Sequence, residues 1–494
     1  MKNIIFGLVV IALGCAAIAA FSPAPPAAAP ALGQHAGQAA AEERETDPLV
    51  LKKLDWFQDQ KFGLMMHWGP YSLWGVVESW TLCSEDEPWC RRPMPNYVEY
   101  KKAYEQLPRT FNPVKFDPAA WARAAKAAGM RYVVFTTKHH DGFSMFDTKQ
   151  TDYRVTGPDC AFRDSPQANV TREIFDAFRK EGFGVGAYFS KPDWHHPDFW
   201  APEWATPDRN VNYSIDRYPE RWQRFRDFTF RQIEELMTGY GPVDILWLDG
   251  GWVRPQPLRQ LAAGLYERNP KNMDVDMPRL AAMARGHQPG LLVVDRTVTG
   301  RYENYRTPEQ EVPEKPLPYA WETCMTMANQ WSYNTKDTYK SAWRLIHLLV
   351  DIVAKGGNFL LNIGPSPEGE LPPTSLERLA EIGAWMKVNG PAIYGTRPVA
   401  PYKDGQVCFT ERQDGTVFAV YLADEDEVAP PAKVALGSLR PADGTPVRML
   451  GVEGAVRWEK NGKGALLTVP ERALQSPPCR YAWAFSFEPA KTKP

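Results

Sequence analysis

Two hydrophobic rhythms alternate along this chain. Short apolar runs of strand length alternate with longer stretches whose apolar positions recur at helical spacing. Lys61–Gly69 (K-F-G-L-M-M-H-W-G) reads as a first strand ending at His67. Asp117-Pro118 opens a helix, with Asp as cap and Pro in the first turn, and that helix ends at Gly129. Strands are predicted at 131–137 and 183–189, with a helix at 170–180 between them. A long amphipathic helix over 219–237 feeds Val243-Asp244-Ile245-Leu246-Trp247-Leu248, a nearly unbroken apolar run that reads as a buried parallel strand. Further strands are read at 291–295, 320–322 and 358–363, and helices at 338–355 and 375–388. This alternation predicts a (β/α)8 TIM-like barrel or a distorted relative over residues 46–395. After Tyr394 the texture changes to short alternating runs, such as Val417-Phe418-Ala419-Val420-Tyr421, separated by turn residues. A small C-terminal antiparallel β-sandwich over 396–494 is expected.

The ends of the chain and its charge narrow the setting. Residues 1–20 combine Lys2, an apolar run and small residues, the pattern of a secretory signal peptide, and 21–45 form an Ala/Pro-rich linker. Leu13-Gly14-Cys15-Ala16 is similar to a lipoprotein cleavage site, so export to the periplasm or medium is expected, with a lipid anchor at Cys15 as the variant. No later segment is long and apolar enough to span a bilayer. A formal net charge of −2 offers nothing for nucleic acid. Of the six cysteines beyond Cys15, Cys83 and Cys90 are the pair expected to form a disulfide.

The chemistry is read from polar residues at predicted strand ends, because the active site of an α/β barrel lies at the carboxyl end of its strands. These are His67, His139, His140, Tyr188, Asp249, Arg296, Trp321 and Glu322. Asp249 stands out: it ends a buried strand and precedes two glycines that let other groups approach. The alternative is an Asp that only caps a turn. Taken together, carboxylates, histidines, an arginine and aromatics without a metal-ligand pattern point to a metal-free, cofactor-free glycoside hydrolase. That chemistry needs two carboxyl groups, with aromatic rings to pack on the sugar. A metal-dependent hydrolase and a non-catalytic carbohydrate-binding protein are the other classes considered.

The stretches Lys61–Gly69, Thr136–Phe143 (T-T-K-H-H-D-G-F), Gly186–Trp194, Leu246–Trp252, Val294–Arg296, Trp321–Tyr333 and Gly357–Glu370 together resemble the α-L-fucosidases of glycoside hydrolase family 29. The resemblance implies a retaining exo-α-L-fucosidase acting on fucosylated oligosaccharides or glycoconjugates. It implies Asp249 as nucleophile and His67, His139, His140, Tyr188 and Arg296 as fucose-binding residues, with Trp321 added to them. It implies an acid/base Glu in a Thr-x-Glu context, which is Glu309, with Glu311 as its rival. It further implies a Glu–Trp pair, here Glu78 and Trp80 with Ser79 inserted between them. A related sugar such as an α-L-galactoside is the alternative substrate.

Overall fold

The computed structural model describes residues 44–83, 90, 92–202, 209–255 and 271–490. The predicted signal peptide, Cys15 and all of the predicted linker but its last two residues lie outside them. Glu45, read as the linker's end, is already docked, with Arg285 pairing to it at 2.8 Å.

Among the described residues, seven parallel strands form one curled sheet: β1 (Phe62–Met66), β2 (Tyr132–Lys138), β3 (Gly184–Ser190), β4 (Ile245–Asp249), β5 (Leu292–Asp295), β6 (Glu322–Thr326) and β7 (Asn358–Ile363). Their order is β5-β4-β3-β2-β1-β7-β6. The gap between β5 and β6 is bridged by an irregular stretch. Asn304 N donates to Val293 O at 3.0 Å on the β5 side, and on the β6 side Glu322 N donates to Arg306 O at 2.8 Å and Gln310 N to Cys324 O at 3.0 Å. Residues 302–310 therefore occupy the eighth place of the barrel without forming a regular strand.

The helices start where short polar caps and prolines dictate. Asp47 caps α1 (Pro48–Gln60), Asn96 caps α2 (Tyr97–Tyr104), Asp117 caps α3 (Pro118–Ala127) and Asn169 caps α4 (Val170–Lys180). Helix α5 (Pro219–Gly239) buries Trp222, Phe225, Phe228, Gln232, Ile233 and Leu236, one stripe at helical spacing. Helices α6 (Met277–His287), α7 (Ala342–Ala354) and α8 (Pro373–Asn389) complete the outer layer. None of these helices is long and apolar enough to cross a membrane.

Side chains alternate along each strand, and this period of two divides the core. Met65, Tyr132, Val134, Tyr188, Ile245, Trp247, Leu292, Val294, Cys324 and Leu360 fill the barrel interior as one apolar cluster. Their strand neighbours face the helices. Asp244, the one polar interruption of the Val243–Leu248 run, sits just before β4, where Lys53 reaches it at 2.6 Å and Val185 N donates to it at 2.9 Å.

Beyond α8 the chain builds a five-stranded sheet and a three-stranded antiparallel sheet. One face of the larger sheet (Cys408, Phe418, Val420, Ala482, Ala484) joins the barrel core, and the other (Val407, Phe409, Val417, Ala419, Phe485) packs with the smaller sheet. Indole donors reinforce the join: Trp343 bonds Ala423 O at 2.8 Å and Trp385 bonds Ala482 O at 2.9 Å.

No disulfide joins cysteines among the described residues. The Cys83–Cys90 bond expected from their closeness in sequence is thus not formed. Both are buried, and Cys83 packs into the main apolar core. Nearness along the chain does not supply the Cβ geometry that a disulfide requires.

Gly63 of β1 allows Tyr132 to cross the barrel floor, since a Cβ there would lie 2.4 Å from the ring. Gly63→Ala should overpack this layer and cost about 1–3 kcal/mol. A urea melt should show a lower midpoint at an unchanged slope.

Candidate functional site

Period two places Ile245, Trp247 and Asp249 on the inner face of β4, so Asp249 tops the column at the barrel mouth. Gly250 has a left-handed φ of 86°, and a Cβ there would lie 2.3 Å from Pro192. A Cβ on Gly251 would strike Thr297 Oγ1 at 1.8 Å. The two glycines thus let the loops after β3 and β5 close around the carboxylate.

Asp249 receives four approaches. Tyr188 donates its hydroxyl to Oδ2 at 2.7 Å, Arg296 Nη1 donates to Oδ1 at 3.1 Å and Gly250 N donates to Oδ1 at 2.8 Å. His140 Nε2 stands 3.7 Å from Oδ2. Burial alone would raise the carboxyl pKa. The positive charge of Arg296, then His140 and the two donors, outweigh it and hold Asp249 well below the usual carboxylate range. Arg296 Nη2 pairs with Glu309 as well, so one guanidinium holds both carboxylates. Glu309 lies in the irregular stretch, bridged to Cys324 of β6, and its side chain is 41% exposed. Glu311 is anchored by its backbone, its carbonyl accepting from the Thr323 hydroxyl at 2.9 Å.

The histidines form the opposite wall. His67 Nδ1 pairs with Asn362 Oδ1 at 2.8 Å, and its ring lies 5.3 Å from His139 and 5.5 Å from Tyr188. His139 stacks on Tyr188 at 5.6 Å and 13°. Burial holds His67 and His140 down at about 4 and His139 well below its ordinary value, so all three rings are neutral at pH 7. Trp80 reaches this group, and Glu78 faces the charge of Glu309. Glu78 Oε1 accepts from Ser332 N at 2.9 Å, and burial, with a further contribution from the charge of Glu309, pushes its carboxyl up to about 8. Trp80 packs edge-on to His140 at 5.2 Å. Ser79 between them is also used: its hydroxyl bonds His139 Nδ1 and accepts from Asp141 N at 3.0 Å.

Trp321 is not brought to the mouth. It precedes β6, whose pairing with β7 begins at Glu322 opposite Asn358, so Trp321 and Glu322 stand at the amino end of the strand. The indole of Trp321 is buried and donates to Lys355 O at 3.3 Å. The predicted strand 320–322 placed these residues at a strand's end because it missed the run Cys324-Met325-Thr326 that carries β6 upward.

The sequence reading omitted Asn362, Ser79, Trp331 and Trp252. Asn362 was legible, because Asn358, Leu360 and Asn362 alternate inward on β7. Trp331 lies 5.0 Å from the His67 ring and Trp252 5.4 Å from His140. Both sit in loops, where no period signals orientation.

His139, His140 and Asp249 present ligand atoms within 4.8 Å of one another, as a metal site would. A resident divalent cation fits poorly there. Both oxygens of Asp249 already accept hydrogen bonds, one from a guanidinium, and His139 Nδ1 is engaged by Ser79.

Arg296→Met should raise the Asp249 pKa, because burial then acts unopposed by the guanidinium. The acid limb of kcat/KM should move to higher pH, measured from rates across pH 3–8. The sign for stability follows. A carboxyl whose folded pKa lies below its unfolded value stabilises the fold above the unfolded value, and this is lost as pH falls toward the folded one. The variant should therefore lose stability near neutral pH and converge with wild type in acid.

The family model for alpha-L-fucosidase matches residues 31–391. The mouse tissue alpha-L-fucosidase is 28% identical over 442 residues, covering 87% of this chain and 90% of that protein. Among solved structures, alpha-L-fucosidase isoenzyme 1 from Paenibacillus thiaminolyticus superposes with a TM-score of 0.69 at 30% identity, covering 90% of this chain and 100% of that one. The Thermotoga maritima alpha-fucosidase in complex with fucose gives a TM-score of 0.67 at 26% identity, covering 88% and 96%. A site of two carboxylates on one arginine, walled by neutral histidines and set at the mouth of a parallel barrel, is thus found in a chain that belongs to the alpha-L-fucosidase family of glycoside hydrolases.

Proposed function

We propose that Asp249 and Glu309 carry out a double displacement at the anomeric carbon of a terminal α-L-fucosyl residue, releasing L-fucose with retained configuration. The supporting observation is the shared guanidinium, with Arg296 bonded to Asp249 through one nitrogen and to Glu309 through the other. Two carboxyls gathered on one fork suit the separation of about 5–5.5 Å that retaining enzymes use.

In the first step a carboxylate oxygen of Asp249 bonds to C1 as the C1–O bond to the aglycone breaks, and the proton of Glu309 passes to the departing oxygen. In the second, Glu309 takes a proton from water, the water oxygen bonds to C1, and the ester to Asp249 breaks. Asp249 is suited to attack because its neighbours keep it ionised. Glu309 faces the departing oxygen with the proton that this first step consumes. Glu78, raised to about 8 and so protonated at neutral pH, can donate to a sugar hydroxyl. His67, His139, His140 and Tyr188 line the same wall, and Trp80 supplies an apolar surface for the ring.

Residues 1–20 support export to the periplasm or medium, with Cys15 as a lipid attachment point. Fractionation of cells producing wild type and Cys15→Ala should release the variant from membranes while both remain exported. Equal partitioning would remove the anchor from the reading.

The roles are tested with 4-nitrophenyl α-L-fucoside. Asp249→Ala should lose at least about a thousandfold in kcat, and azide should rescue Glu309→Ala with formation of fucosyl azide. Azide rescue of Glu311→Ala with an unimpaired Glu309→Ala would move the acid/base by two residues. Full activity after exhaustive chelation is expected; loss of activity would point to His139, His140 and Asp249 as metal ligands.

A further inference from the structure

On the barrel floor, beneath Trp247, the interior holds a carboxyl group that the two displacement steps do not use. Glu322, the first residue of β6, is fully buried. Its Oε2 accepts from the Tyr132 hydroxyl at 2.6 Å, and its Oε1 accepts from the indole N–H of Trp247 at 3.3 Å. Tyr305 brings its hydroxyl near the same carboxyl without completing a hydrogen bond. Burial raises the pKa of Glu322 to about 7, although Tyr132, Trp247, Tyr305 and the charge of Arg296 oppose the shift. A carboxyl placed in an apolar barrel core is costly, and an apolar side chain would fill this space more cheaply. Its presence asks for a reason beyond packing.

Trp247 offers one. It is the middle residue of β4, two positions before Asp249 on the same inward face. Tyr188 stacks on its ring at 5.2 Å and 22°, and the guanidinium carbon of Arg296 lies 5.1 Å from its ring centre. Tyr188 and Arg296 are the side chains that donate to the two oxygens of Asp249. The indole thus supports, on its faces, both groups that aim the carboxylate. Stacking resists tilting of the ring but not sliding within its own plane. A hydrogen bond at the pyrrole edge removes that freedom.

We propose that Glu322 is a positioning residue for the reaction: by accepting the indole N–H of Trp247 it fixes the ring against which Tyr188 and Arg296 rest, and through them the aim of Asp249. This rests on Asp249 being the attacking carboxylate. Gln at this position keeps an acceptor for the indole, whereas Leu fills the space and leaves a buried N–H without a partner.

The test is steady-state kinetics on 4-nitrophenyl α-L-fucoside across pH for wild type, Glu322→Gln, Glu322→Leu, Trp247→Phe and Asp249→Ala, each checked by a thermal melt. Glu322→Gln should stay within about threefold of wild type, and Glu322→Leu should lose at least about tenfold in kcat with little change in KM. In Glu322→Leu the acid limb of kcat/KM should also move to higher pH as Arg296 loosens from Asp249. A folded Glu322→Leu with wild-type kcat and acid limb, beside an inactive Asp249→Ala, overturns the positioning role and leaves the nucleophile standing. An active Asp249→Ala overturns both. If Glu322→Leu does not fold, Trp247→Phe decides, since it keeps an aromatic face and loses the N–H: a tenfold fall in kcat supports the role, and wild-type kcat overturns it.

Discussion

The site depends on a charge balance held by one side chain. Asp249 has to remain an anion at the barrel mouth, where burial favours its neutral form, and Arg296, only 12% exposed, makes that possible. An isolated buried carboxylate would take up a proton; a carboxylate bonded to a guanidinium does not. Binding Glu309 through the other nitrogen gives Arg296 a second function, because the two acids are gathered by the same cation that keeps one of them charged. The surrounding histidines are kept neutral at pH 7 by burial, so the charge facing Asp249 there is that of Arg296.

Below this layer the barrel supplies rigidity through alternation. Each strand contributes an inward residue at every second position, and the stack from the floor at Tyr132 and Glu322, through Trp247, to Tyr188 and Asp249 is continuous. The glycines at 250 and 251 complete the arrangement from outside, since any larger residue would hold the β3 and β5 loops away from Asp249. The five-stranded C-terminal sheet is buried on both faces, one of them against the barrel.

Much of this was legible in the sequence, for a physical reason. Buried parallel strands and amphipathic helices leave periodic signals, so β1 to β5, β7 and the main helices were placed to within a few residues. Where period two meets a strand end, the orientation of a side chain follows, and Asp249, Tyr188 and His67 could be located that way. Trp321 and Glu322 were misplaced because the polar, mixed run Glu322-Thr323-Cys324-Met325-Thr326 shows little strand character, so the strand was expected at 320–322 and made to end where β6 begins. Trp252 and Trp331 were missed because loops carry no period. The expected Cys83–Cys90 bond rested on closeness in sequence alone, which does not fix the geometry that a disulfide requires.

The irregular closure at 302–310 carries a consequence of another kind. Strands β1 to β4 and β7 are locked by ladders on both sides, so a one-residue insertion in one of them would turn each inward side chain outward. The stretch bearing Glu309 is held by scattered bridges, and it can lengthen or shorten by absorbing the change in its turns. A change of length there would move Glu309 relative to Arg296, while Asp249 stays pinned to β4. The chain can therefore vary in length beside Asp249 without putting the register of the barrel at risk.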